Sequence, residues 1–127
     1  MLDIYEKQLD ELMGKEQPYL NPDLTLPGLA KKIDIPTNYL SQVINERKDS
    51  NFFDYINSHR VAEARQRLKN PAHEDLPIIQ VAYSVGFNSK STFNAAFKKF
   101  SKTTPTDYRK ALSESLPHQT VTLSEDI

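Results

Sequence analysis

Cysteine is missing from this 127-residue sequence, which excludes disulfides, thiolate metal sites and cysteine nucleophiles together and suits a reducing compartment. Glycine is scarce too, three residues against eight prolines, and alternating β-branched runs are few. Pro therefore punctuates the chain into short segments that read as helices, and an all-α architecture is expected. No apolar run approaches the roughly 20 residues that cross a bilayer, and Met1, Leu2 and Asp3 lack the basic-then-apolar build of a secretion signal. A glycine-rich phosphate loop, a nucleophile elbow and a His pair at i, i+4 are also lacking; His59, His73 and His118 stand far apart. The sequence thus predicts a soluble, cytoplasmic chain without enzymatic activity, cofactor or metal. Its length fits one compact domain or two very small ones, domains usually holding about 100–200 residues.

What charge there is lies unevenly. The net value is −1, yet residues 1–19 carry two Lys against five acids and residues 113–127 carry three acids with no Lys or Arg. Residues 20–112 hold fourteen Lys and Arg against nine acids, a balance of +5. A basic middle between acidic ends permits a polyanionic partner but does not identify one.

Along the chain, Ile4, Tyr5, Leu9, Leu12 and Met13 predict an amphipathic helix ending before Pro18. Thr25 is placed to cap a short helix from Leu26 to about Ile33, with Pro27 in its first turn. Asp34 tolerates the positive φ of a reversal, and a second helix after Pro36 turns Tyr39, Leu40, Val43 and Ile44 inward, leaving Thr37, Asn38, Ser41, Gln42 and Asn45 outside. Ser50 or Asn51, with Asp54 a turn later, opens the longest helix, which runs through Phe52, Phe53, Ile56, Val61, Ala64 and Leu68 toward Pro71. Pro77 then starts a short helix bearing Ile78, Val81, Ala82 and Val85. Gly86 makes the turn, and Ser89 caps a helix with Phe93, Ala96, Phe97 and Phe100 inside. Thr104, Pro105 and Asp107 form a capping box for a last helix to about Leu112, and a disordered acidic tail is expected over residues 113–127.

The two short helix pairs repeat one another. Leu26, Leu29, Ala30 and Ile33 recur 52 residues later as Ile78, Val81, Ala82 and Val85, and Leu40 and Ile44 recur 53 residues later as Phe93 and Phe97. One residue has entered the second turn. A small Ala in the first helix lets two helices cross closely, and Asp34 or Gly86 supplies the reversal; together these mark a helix-turn-helix written twice.

Over Leu20 to Leu112 the sequence resembles the AraC/XylS family of bacterial transcription regulators. The resemblance rests on Phe52, Phe53, Asp54, Tyr55, Ile56 and Asn57 with Arg60, Val61 and Ala64; on Ala82, Gly86, Phe87, Ser91, Phe93, Phe97, Lys98 and Lys99; and on Thr104, Pro105, Tyr108 and Arg109. The stretch from Gly86 to Asn94 is similar to a Bacteroidetes-type branch in which this module ends a longer sensor protein. The family resemblance implies about seven helices in two helix-turn-helix subdomains on a long linker helix, each inserting its second helix into the major groove of double-stranded DNA. It implies base contacts from Asn38, Ser41, Gln42, Lys90, Ser91, Thr92 and Asn94, and phosphate contacts from Thr37, Ser89, Lys98, Lys99, Lys102 and Arg109. Asn and Gln can bond adenine bidentately, while Lys90 suits guanine or phosphate. Three positions depart from the family pattern: Ala95 where an Arg is frequent, Pro36 in place of a capping Ser, and Lys102 in place of a Gly at a helix end.

Residues 1–19 stand apart as a linking or dimerising helix, and the chain reads as the output end of a longer regulator, cytoplasmic even if that regulator is membrane-attached. RNA polymerase and a second copy, paired through this helix or a sensor domain outside the sequence, are candidate further partners. The competing reading is a helical protein-interaction module that does not bind DNA. The series Phe87, Phe93, Phe97 and Phe100 has helical spacing and is assigned to the core rather than to base stacking. Arg60, Arg65 and Arg67 on the linker helix could contact phosphate or equally form a solvated or salt-bridged face with Glu63 nearby, and they are left out of the candidate contacts.

Overall fold

The computed structural model describes residues 2–114, in which Pro, Gly and side-chain caps divide the chain into seven α-helices and no strands. These are α1 (Leu2–Lys15), α2 (Leu26–Lys32), α3 (Thr37–Arg47), α4 (Phe52–Lys69), α5 (Ile78–Ser84), α6 (Lys90–Ser101) and α7 (105–114). Short 3-10 turns at Pro18–Leu20 and Pro71–His73 follow α1 and α4. Of the expected tail, residues 113 and 114 instead complete α7, and residues 115–127 lie outside the described residues.

The caps fall where the side chains dictate. Thr25 Oγ1 accepts from Gly28 N at 3.1 Å, Asn51 Oδ1 from Asp54 N at 2.8 Å, Ser89 Oγ from Thr92 N at 3.1 Å and Thr104 Oγ1 from Asp107 N at 3.1 Å. Each satisfies an amide that the first helical turn leaves without an intrahelical partner. Pro36 begins α3 with no side-chain cap, and Thr37 does not take over that role.

Both reversals have the same geometry. Asp34 (φ 56°) and Gly86 (φ 110°) take positive φ. The next amide reaches back to the small residue of the preceding helix, Ile35 N to Ala30 O at 3.1 Å and Phe87 N to Ala82 O at 3.1 Å. Ala30 and Ala82 are buried, as a close crossing of α2 on α3 and of α5 on α6 requires.

Two apolar cores result. Leu9, Met13, Leu29, Ala30, Leu40, Val43, Ile44, Tyr55 and Ile56 belong to the first, and Val61, Ala64, Leu68, Val81, Ala82, Phe87, Phe93 and Phe97 to the second. Both draw on α4, but from different sides. At about 100° per residue, Phe52, Tyr55 and Ile56 point roughly 150° around the axis from Val61, Ala64 and Leu68. The helix therefore serves as an axle with one unit on each face. Tyr108 of α7 closes the second core edge-to-face on Phe97, ring centroids 5.6 Å apart.

The helix α1 packs within the chain rather than standing off it. Leu9 and Met13 are buried, Leu2, Tyr5 and Leu12 pack around them, and α1 lies against α3. Its apolar stripe, expected to link or dimerise, thus covers the first unit. Three expectations of inward-facing side chains are corrected. Ile4 (62% exposed) lies about 80° or more off the stripe of Leu2, Tyr5, Leu9 and Leu12. Tyr39 is half-exposed because it stacks on Tyr5 at the edge of the α1–α3 contact, centroids 5.9 Å apart. Phe53 (64% exposed) points between the two faces of α4 and lines an open groove against α6 instead of entering either core.

Candidate nucleic-acid interface

The second helix of each unit buries one side and leaves the other in solvent. On α3, Leu40, Val43 and Ile44 are buried, while Asn38, Gln42 and Asn45 are exposed and Thr37 and Ser41 half-buried. On α6, Phe93, Ala96 and Phe97 are buried, while Lys90, Ser91, Asn94 and Lys98 are exposed. Lys90, Asn94 and Lys98 follow i, i+4, i+8 spacing, which aligns them along one edge of the helix. Asn38, Ser41, Gln42 and Asn45 form the corresponding stripe of α3. One stripe is neutral and rich in amides, the other holds two free ammonium groups, and neither has an apolar side chain that would favour a dry protein interface.

Of the other expected contacts, Ser89, Thr92, Lys99 and Arg109 are engaged within the chain, while Ser91 and Lys102 stay exposed. Ser89 caps α6 and also donates to Thr92 Oγ1 at 2.9 Å, so both hydroxyls hold the helix start. Ser91 and Thr92 line an open groove of about 360 Å³ between α4 and α6, with Phe53, Asn57 and Ala95. Lys99 Nζ pairs with Asp54 Oδ2 at 2.8 Å, tying α6 to the first turn of α4. Lys102 is exposed and ends α6 at φ 62°, the left-handed conformation a Gly would adopt without strain. Arg109 donates Nη1 to Leu76 O, and its Nε and Nη2 are buried without a partner among the described residues. Its guanidinium thus faces the loop before α5 rather than the open surface.

Basic groups beside the first stripe are neutralised. Arg47 and Lys48, where α3 ends, meet an acidic row on α1: Arg47 to Asp3 at 2.6 Å, Lys48 to Asp10 at 2.8 Å and to Glu6 at 3.1 Å. Burial pulls the Lys48 ammonium down, but its hydrogen bonds to Asp10 and Glu6 outweigh this and hold it above the ordinary lysine range. The linker arginines are also occupied. Arg60 holds backbone carbonyls, Arg65 donates to Ser101 Oγ at 2.9 Å, and Arg67 pairs with Glu63 at 3.0 Å and donates to Ser84 O at 3.0 Å. Among the described residues no group of three or more His, Asp or Glu could hold a metal ion, and no helix is long and apolar enough to cross a membrane.

Two units of this geometry on the faces of one helix can be compared with known proteins. A family described as a helix-turn-helix domain matches residues 29–111, from within α2 into α7. The chain belongs to the AraC-type helix-turn-helix family. It is similar to the regulatory protein SoxS of Escherichia coli (strain K12), 26% identical over 108 residues, which is 85% of this chain and 98% of that protein. It is 27% identical over 92 residues to the Msm operon regulatory protein of Streptococcus mutans, covering 72% of this chain and 32% of that protein. The chain thus spans about a third of that longer relative. Among solved structures, the C-terminal domain of the two-component response regulator yesN from Fusobacterium nucleatum superposes with a TM-score of 0.68 at 28% identity, covering 83% of this chain and 97% of that domain.

Within this AraC-type domain, reading the sequence left two positions out of the candidate set. Asn45 extends the α3 stripe by one turn, and its i+3 and i+7 spacing from Gln42 and Asn38 was the available signal. Arg60 was grouped with a solvated face, but it reaches the carbonyls of Tyr19 and Asn21, 41 and 39 residues earlier in the chain. No local pattern announces a contact of that range.

Proposed function

We propose that this chain is the DNA-binding output of a bacterial transcription regulator, acting in the cytoplasm by binding rather than by bond-making, with α3 and α6 entering successive major grooves. The observation that carries this is the duplicated helix-turn-helix in which both second helices present an exposed polar stripe, the two units sitting on different faces of α4. Its 18 residues span about 27 Å. Adding the radii of the flanking elements bridges the about 34 Å between major-groove faces one turn apart. Asn38, Ser41, Gln42 and Asn45 read one box, and Lys90, Ser91 and Asn94 the other. Lys98 and Lys102 contact phosphate, with Thr37 at the start of α3. Thr92, Ser89, Lys99 and Arg109 hold the reading helices in place, and Lys99 reaches phosphate only when it leaves Asp54.

Residues 20–112 form the reading element, with α1 as a brace on its first half. RNA polymerase and a second copy remain candidate partners of the longer regulator. The apolar stripe of α1 is covered by its own chain, so it is not free to pair two copies. The chemistry favours DNA over a protein groove, since each stripe is made of amides, hydroxyls and ammonium groups.

Selection of bound sites from random duplexes is the direct test. Two short boxes about one helical turn apart are expected, with affinity falling steeply between 50 and 200 mM salt, as counterion release demands. Equal affinity for selected and scrambled duplexes at low salt would refute the assignment.

A further inference from the structure

We propose that Arg60 is a positioning residue that fixes the two reading helices relative to each other and thereby sets the spacing of operator boxes the protein accepts; this rests on the DNA-reading assignment above. The argument starts from α4. Its first-core residues and second-core residues project roughly 150° apart, and at the same 100° per residue Arg60 projects between them, on the seam. A helix with a unit on each side fixes their separation. It constrains their mutual rotation less, because the buried residues of the two units form separate clusters on it and the polar ties of Asp54, Arg65 and Arg67 reach the second unit alone.

Arg60 joins what the axle leaves apart. Its Nε donates to Tyr19 O at 2.6 Å and its Nη2 to Asn21 O at 2.9 Å, both in the segment that leads into the first unit. Its Nη1 donates to Oδ1 of buried Asn57 at 3.1 Å, and its guanidinium lies 5.8 Å from the ring centroid of Phe87, in the turn of the second unit. The same spot carries two further signs of close fit. A Cβ on Gly86 would come within 2.3 Å of Tyr19 O and 2.7 Å of Arg60 Nε, so the second unit's turn is pressed against the first unit's leading segment. Leu20 packs against both cores. A planar fork with donors in three directions suits this junction, whereas the single ammonium of Lys could not serve both carbonyls and the Asn57 amide in that geometry.

The experiment uses duplexes carrying the two selected boxes with the intervening DNA shortened or lengthened by one or two base pairs. Wild type is expected to lose at least tenfold in affinity at each off-register spacing. Arg60→Met is expected to bind a single box as wild type does while its spacing penalty shrinks to threefold or less. Arg65→Met, which severs a tie within the second unit, is expected to keep the wild-type profile. An unchanged spacing profile in Arg60→Met would overturn the proposal.

A second measurement does not depend on DNA. The sequence has no cysteine, so spin labels at Glu46→Cys on α3 and Lys98→Cys on α6 report the distance between the reading helices without background. Arg60→Met should broaden that distribution, and an equally narrow one would overturn the positioning role. If wild type prefers no duplex, the DNA-reading assignment fails by itself and the label distances still decide whether Arg60 clasps the units. Should Arg60→Met not fold, Arg60→Lys goes through the same two measurements with the same expected directions.

Discussion

The two helix-turn-helix units share a turn to within a tenth of an ångström in the hydrogen bond that closes it, and differ in almost everything around it. The first unit has a mainly aliphatic core edged by Tyr19 and Tyr55, an uncapped reading helix, a neutral outward stripe and an extra helix whose acids hold the nearby Arg47 and Lys48. The second has a cluster of Phe87, Phe93, Phe97 and Tyr108, a capped reading helix and exposed lysines at both ends of its stripe. On the proposed reading, a shared turn with different outer faces implies a division of labour in which the second unit would supply charge attraction to the duplex and the first amide readout with little charge of its own.

The largest effect should come from the cores. Phe97→Ala should cost about 3–5 kcal/mol and Leu40→Ala about 2–5 kcal/mol, since both side chains are fully buried. Both should appear as one shift of a single urea transition, because α4 belongs to both cores. Two separated transitions would break the picture of one body with two faces and make the units independent. On DNA the units should diverge. Gln42→Ala should relax one box, losing about 1–3 kcal/mol of discrimination with the salt dependence unchanged. Lys98→Ala should weaken all sequences alike and reduce the salt slope by about 1. Equal salt responses in the two variants would remove the proposed division.

Much of this architecture was legible because the signals are local. Thr25, Asn51, Ser89 and Thr104 cap helices for reasons contained within four residues, and Asp34 and Gly86 announce reversals by their backbone tolerance. The repeat then carried the reading from helices to a double reader. What escaped depended on contacts between distant segments. The stripe of α1 was visible, but nothing in it tells whether it meets a second copy or its own α3. Arg109 and Lys99 look like surface cations until Leu76 O and Asp54 are brought beside them. Arg60 needed the Tyr19 carbonyl, 41 residues away in sequence.

Smaller effects sharpen the comparison at the helix ends. Lys102 and Asp34 both hold positive φ, but Asp tolerates this conformation better than Lys. Lys102→Gly should therefore stabilise by about 1 kcal/mol, and Asp34→Gly by less. Pro36→Ser would restore a cap worth about 0.5–2 kcal/mol but free the unfolded chain by about 0.4–1 kcal/mol, leaving a small net gain. Urea midpoints rank the three, and a gain from Asp34→Gly equal to that from Lys102→Gly would contradict the strain argument.

The smallest expected effect is a pH response confined to the first unit. The His59 ring stacks on Tyr19 at 5.4 Å and meets Tyr55 edge-on at 4.8 Å. Burial lowers its basicity below the ordinary imidazole value of 6.5, the nearby Lys48 charge lowers it further, and Asp10 opposes them in part. In the unfolded chain the imidazole takes up its proton near that ordinary value, while in the fold it stays neutral to lower pH. The unfolded state therefore binds more protons between the two values, and stability falls as pH drops from about 6.5 through the lowered value, with no contribution above that window. His59→Phe keeps an aromatic ring between the tyrosines and should flatten this part of the pH profile. Hydrogen exchange should show α1 and α3 loosening on acidification before α5 and α6. The same acid sensitivity in His59→Phe, or loosening that begins in α6, would place the titrating group elsewhere and remove this difference between the units.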